Sequence, residues 1–269
     1  MEESNISSST SSSIVPIPKT RERKAMKEAK KKKKPESSTG VSSDVPISSL
    51  GAAFVHLITG LSLAVGFWVA RNKLSVDLVS DPSLTLFLLW SIEFPAVGLK
   101  MLAFLVLLSA LLIYESYFRA LGRSILGLIS GAFMNTLGAV ALGAPIGMQY
   151  LPKTIHWSFL MSVFTFVPAT AVFGASWTDW HRVFASMKTS GNTEYMILVP
   201  AYGAIIGGWF GAWPMPLDWE RPWQEWPICV CYGAIGGYVV GLINEFHFVL
   251  TFDLIARLRE DNRAEFLLA

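Results

Sequence analysis

LTLFLLWSIEFPAVGLKMLAFLVLLSALLIYESYF, residues 84–118, decides how often this chain crosses a membrane. A helix needs about 20 apolar residues to span hydrocarbon, so the run is too long for one crossing. Read as two short crossings, it inverts the orientation of everything after it. Glu93, Pro95 and Lys100 interrupt it. Proline lacks an N–H and clashes with the preceding turn. The sequence therefore predicts an interfacial or re-entrant piece over Leu84–Phe94, a break at Pro95, and one crossing from about Val97 to Phe118, with Lys100 near enough to the boundary to snorkel.

The rest of the chain supports a membrane reading. Of 269 residues, 52% are hydrophobic and 16% charged, and the mean hydropathy is +0.44, too apolar for a soluble domain of this size. Backbone amides in hydrocarbon must bond within their own segment, so each apolar run reads as a helix. The expected fold is all-α, a polytopic membrane helical bundle of six transmembrane helices within residues 49–245. Besides 97–118, the crossings fall at about 49–70, 125–146, 157–175, 195–213 and 226–245.

Charge is placed unevenly. The formal net charge is only +2, yet ten of the 22 Lys and Arg lie between Lys19 and Lys34. Residues 1–48 open Ser-rich, hold no apolar run suited to a secretory signal, and read as a disordered basic cytosolic tail. Ahead of a polytopic body, that tail suits membrane lipid and topology rather than nucleic acid. Cytosolic loops carry an excess of Lys and Arg. With both termini cytosolic, that side receives Arg119, Arg123, Arg182, Lys188, Arg257, Arg259 and Arg263 besides the tail, against Arg71, Lys73, Lys153 and Arg221 on the far side. The sequon Asn5-Ile6-Ser7 then stays unmodified. Residues 246–269 begin FHFVLTFDLIARLRE, with Phe248, Phe252, Ile255 and Leu258 at helical spacing. They read as an amphipathic cytosolic segment, lying on the interface or extending the sixth helix.

Two glycine ladders stand out. Gly203, Gly207 and Gly211 recur every fourth residue on the fifth crossing, and Gly233, Gly237 and Gly241 on the sixth. Small residues at this interval let helix backbones approach in a bilayer. Adjacency in sequence predicts an antiparallel hairpin packed along these stripes, the alternative being a stripe facing a partner's helix. Gly127 and Gly131 repeat the motif once on the third crossing.

Chemistry is sparse. His56, His156, His181 and His247 are scattered, and no cluster has metal-ligand spacing, so neither metal nor cofactor is expected. Cys229 and Cys231 point apart on a helix and read as core residues. The one concentration of ionisable groups is PMPLDWERPWQEWP, residues 214–227, with Asp218, Glu220, Arg221 and Glu225 among Trp219, Trp223 and Trp226. An enzyme acting on lipid head groups would use Asp218, Glu220 and Arg221. A lipid transporter would need a polar path, which the scarcity of buried polar residues opposes. A proline-stiffened loop with Trp and Arg anchors has the composition of a protein-interaction hot spot.

GAWPMPLDWERPWQEWPICVCYGAIGGYVVG, Gly211–Gly241, resembles the signature of the PIG-F family, the phosphatidylinositol-glycan biosynthesis class F proteins. Its centre is PLDWERPWQ, Pro216–Gln224, followed by Trp226-Pro227. Gly143-Ala144-Pro145 and WHRVF, Trp180–Phe184, are weaker likenesses. The resemblance covers roughly residues 50–250 and leaves out the basic tail. It implies a noncatalytic accessory subunit of the endoplasmic reticulum membrane that stabilises the class O and class G ethanolamine phosphate transferases of GPI-anchor biosynthesis. Those enzymes carry their own metal-bearing lumenal domain. On this reading no residue is catalytic, and partner binding falls to Asp218, Trp219, Glu220, Arg221, Pro222, Trp223, Gln224 and Trp226 on a lumenal loop.

Overall fold

A computed structural model describes residues 49–108, 113–189 and 192–268. The tail over 1–48 with its sequon, and the side chains of His56, Lys100 and Glu115, lie outside the described residues. The described residues form eight α-helices and no strand. These are α1 (Ser49–Lys73), α2 (Pro82–Leu108), α3 (Ile113–Ala141), α4 (Leu151–Phe164), α5 (Phe166–Phe173), α6 (Trp177–Trp180), α7 (Asn192–Ala212) and α8 (Ile228–Leu268).

Residues 84–118 fold otherwise than expected. Helix α2 runs through Pro95 without a break, so Leu84–Phe94 is its first half rather than a re-entrant piece, and α3 begins at Ile113 rather than near 125. An interior proline costs a helix about 3 kcal/mol, and packing outweighs it here. Pro95 lies on the exposed side, while Leu86, Leu89, Glu93 and Val97, three or four residues apart, form a buried stripe. Glu93 is fully buried rather than interfacial, and accepts a hydrogen bond from the Ser62 hydroxyl on α1.

Among the described residues, Phe118–Ala141, Glu194–Ala212 and Ile228–Phe248 are each long and apolar enough to cross a bilayer. Helices α4 and α5, bent by 43° at Thr165, qualify as a fourth segment if taken together. The Thr165 hydroxyl donates to Met161 O at 2.7 Å, a back-bond that accompanies helix bends. Just before the bend, the Ser162 hydroxyl donates across to Gly127 O and Leu128 O of α3, both at 3.0 Å. A Cβ at Gly131 would lie 2.6 Å from the Phe166 ring, so α3 and α5 meet where that glycine leaves room.

The expected scarcity of buried polar residues does not hold. Thr59, Thr85, Ser124, Thr154, Ser158, Ser162, Thr165, Gln224, Glu93 and Glu245 are all buried. Several of the hydroxyls donate to carbonyls of their own helices, such as Ser158 to Thr154 O at 2.8 Å and Ser124 to Ala120 O at 2.9 Å. That pattern satisfies hydroxyls in an apolar interior.

The α7–α8 hairpin interlocks along the glycine ladders. A Cβ at Gly207 would lie 2.9 Å from Gly237 Cα, one at Gly233 2.8 Å from Gly211 Cα, and one at Gly241 2.6 Å from Pro200 Cα. One at Gly203 would meet Gly237 O and lie 3.4 Å from Gly241 Cα. The helices thus touch backbone to backbone, which only glycine allows. Helix α8 does not end near 245: its 41 residues rise about 60 Å, twice the hydrocarbon thickness. The segment after Glu245 prolongs α8, the second of the two arrangements expected for it.

Candidate functional site

The connection from α7 to α8 starts where α7 ends at Ala212 and unwinds through successive turns. Gln224, at the end of a one-turn 3₁₀ helix over Pro222–Gln224, organises it. Its side-chain amide donates to Pro214 O at 2.6 Å and Leu217 O at 2.7 Å, and its oxygen accepts from the Arg221 amide at 2.9 Å. Gln224 is buried, so these bonds form largely out of water. The Pro214 carbonyl also accepts from the Leu217 amide at 3.2 Å, so Gln224 braces a backbone turn.

Trp226 is buried as well. Its indole N–H donates to the Thr154 hydroxyl on α4 at 2.8 Å, and its ring lies 5.2 Å from that of Trp157. Lys153 forms an ion pair with Glu225 at 2.8 Å beside it. The loop is therefore moored to the start of α4. Trp223 is half-buried, packed against the core, and meets Trp219 edge-on at 5.9 Å.

Asp218, Trp219, Glu220, Arg221 and Pro222 are exposed at the tip. Glu220 has a φ of +51°, a left-handed conformation uncommon for a side-chain-bearing residue and characteristic of conformationally fixed loops. The eight residues singled out in the sequence thus divide. Gln224 and Trp226 are internal fastenings, Trp223 is a bracket, and the other five form a display surface.

A second polar cluster, missed as such in the sequence, sits between α5 and α7. Arg182 pairs with both oxygens of Glu194 at 2.6 and 2.7 Å and with Asp179 at 2.9 Å. It lies in a π-helical turn over His181–Ala185, and the Tyr202 hydroxyl donates to Phe184 O at 2.5 Å. The hydroxyl of Ser176, and then Arg182, hold the Asp179 carboxyl below the usual carboxylate range, while the two carboxylates raise Arg182 above its ordinary value. The WHRVF run was the only signal pointing here. His156 accepts from the Trp90 indole at 3.3 Å within an aromatic cluster, whereas His181 and His247 are exposed. Among the described residues no three His, Cys, Asp or Glu are placed to hold a metal, and Cys229 and Cys231 are free, buried thiols.

Fold and site together define an all-α membrane helical bundle that holds out a stiff aromatic and charged loop. The chain belongs to the GPI biosynthesis protein family Pig-F, whose profile matches residues 62–245. It is 37% identical over 115 residues to the mouse "GPI ethanolamine phosphate transferase, stabilizing subunit", covering 43% of this chain and 52% of that protein. It is 38% identical over 104 residues to the human protein of the same description, covering 39% and 47%. A PIGF/3-ketodihydrosphingosine reductase fusion protein of Schizosaccharomyces pombe is 37% identical over 116 residues, 43% of this chain and 23% of the fusion. The chain spans about half the length of the mouse and human relatives it matches. No solved structure matches it.

Proposed function

We propose that this chain is a noncatalytic accessory subunit that binds and stabilises ethanolamine phosphate transferases of GPI-anchor biosynthesis. The transferases of classes O and G are its partners, and the endoplasmic reticulum membrane its site. Six crossings, with α1 and α2 completing the set, put both termini in the cytosol and residues 214–227 in the lumen. The excess of Lys and Arg on the other face supports this orientation.

The observation that carries the reading is the division within the loop. Gln224 and Trp226 fix its shape from inside, leaving Asp218, Trp219, Glu220, Arg221 and Pro222 as a prearranged surface. Prearrangement lowers the entropy lost on docking, and Trp with Arg are the residues on which interfaces most depend. The names of the mouse and human relatives support the same role.

Co-expression with a transferase tests it. Replacing both Trp219 and Arg221 with alanine removes two anchors of about 2 kcal/mol or more each, about 4 kcal/mol together, so affinity for the transferase falls by roughly a thousandfold. The chain's own level holds, since neither side chain fastens the loop. Undiminished recovery would remove the docking assignment. Phosphoethanolamine transfer by the isolated chain would overturn the accessory role itself.

A further inference from the structure

Backbone contact between α7 and α8 leaves a hollow above the contact line. A trough of about 550 Å³ runs there, floored by Gly207 and Gly237 and walled by Ile206, Phe210, Val240 and Asn244. Ile206, Phe210 and Val240 are about half exposed, at 50%, 53% and 56%. We infer that this trough, with the exposed stripe that prolongs it along α8, seats one membrane-crossing helix of the transferase. The inference rests on the accessory-subunit reading and names a second surface for it, apart from the 214–227 loop.

Continuity of the α8 face identifies the occupant. From Val240 the face proceeds through Asn244, Phe248, Thr251, Ile255 and Leu258, each three or four residues from the last, which keeps them in line on one side of a helix. All six are exposed, and Phe248, at 41%, also packs its inner side against the Tyr195 ring of α7, with centroids 4.2 Å apart. The apolar segment suited to crossing ends at Phe248, while α8 continues unbroken for another 20 residues, about 30 Å. Hydrocarbon can cover Val240 but cannot also reach Ile255 and Leu258. An unbroken α8 cannot turn at Phe248 to lay those residues along the bilayer surface. A single occupant of the whole face is therefore a rod that passes out of the membrane beside α8, which describes a partner's transmembrane helix with its helical continuation.

The trough suits such a rod. Paired glycines lower its floor while Ile206, Phe210 and Val240 stand as walls, the small-residue geometry by which membrane helices pack closely. Asn244 offers an amide to the trough within the crossing segment. Polar side chains at such depth bond across helices, so the seated helix carries a hydrogen-bonding residue at that level.

Photo-crosslinking in membranes tests the assignment, using the full-length chain co-expressed with the transferase and a photoreactive residue at Val240, Ile255 or Leu126. Leu126, on the outward side of α3 and 68% exposed, is the control. The expected result is a transferase adduct from both Val240 and Ile255 and only lipid from Leu126. In the same assay Val240→Trp, which fills the trough from an exposed position, lowers the Ile255 adduct about tenfold, and Asn244→Leu lowers it about threefold. Lipid alone at Val240, a second copy of this chain at either position, or transferase at only one of them overturns the inference. If Val240→Trp reduces the chain's own level, the crosslinks on the otherwise unaltered chain decide. Transferase that co-purifies without these crosslinks sinks the trough alone. Transferase that never co-purifies sinks the accessory reading, and the inference with it.

Discussion

Gln224→Leu separates a loop held from within from one that merely rests on the bundle. The substitution keeps the side chain's bulk and deletes its three hydrogen bonds, to Pro214 O, Leu217 O and the Arg221 amide. Each is worth about 1 kcal/mol net, and little water reaches the site to replace them, so closing the loop loses about 3 kcal/mol. At about 1.4 kcal/mol per decade, that is roughly a hundredfold increase in local opening. Hydrogen exchange followed by mass spectrometry, on the chain in lipid nanodiscs, reads this directly. Amides over 214–224 should exchange about a hundredfold faster, while those of α7 and α8 keep their protection because the ladders are untouched. Gln224→Glu should behave almost as badly, since it keeps the acceptor for Arg221 but turns a carboxylate toward two carbonyls. Trp219→Ala, at the exposed tip, should leave these rates unchanged. Loop exchange in Gln224→Leu within about threefold of the unaltered chain would refute the reasoning, because no opening equilibrium of the stated size would then exist.

Gly207→Leu should sharply lower the steady level of the chain in membranes, because its Cβ would meet Gly237 Cα at 2.9 Å and backbone cannot rotate aside. Gly208→Ala, whose nearest neighbour would be Ala234 Cβ at 3.6 Å, should leave that level unchanged on the same blot. Lys153→Ala removes an ion pair to a half-exposed Glu225, so the thermal midpoint of the purified chain should fall by an amount equivalent to less than about 1 kcal/mol. The depressed Asp179 carboxyl contributes stability that is fully present above its unfolded value and is lost as pH falls through the folded one. Exchange over 176–188, corrected for intrinsic rates, should thus stay flat from pH 8 to about 5 and rise only below about pH 4, and Asp179→Asn should abolish that rise.

Helical character and membrane class were legible because composition alone excludes most alternatives. The path through 84–118 was not. Its helical stripe, Leu86, Leu89, Glu93 and Val97, crosses Pro95 in plain sight, but apolar residues occupy almost every position around it, so periodicity has no contrast. Glu93 was the one usable mark, and a carboxylate in such a run suggests a boundary until its Ser62 partner, on another helix, is known. In the loop, nothing in the local sequence distinguishes Trp219 from Trp226. Thr154 and Trp157 make that distinction from α4, some seventy positions earlier in the chain. Gln224 escaped notice as a fastening because a polar residue in a polar loop is expected to face water. The six glycines are different: an interval of four draws a stripe on any helix, and only the register between stripes awaits the fold.

That register joins the loop to the far end of the molecule. Because α7 and α8 meet backbone to backbone, the hairpin has few soft degrees of freedom, and α8 leads from the 214–227 loop, past the trough, to the exposed stripe ending near Leu258. A partner engaged at the loop and along α8 binds one rigid body at two places, and the second contact forms at the effective concentration set by the first. Two individually weak surfaces then suffice for a lasting complex. The same coupling means that damage at the loop alone weakens the complex without abolishing it, whereas loop and trough variants together multiply their effects. Ladder variants that splay α7 from α8 disturb both surfaces at once, so partner loss after Gly207→Leu would not by itself identify the ladder as the contact.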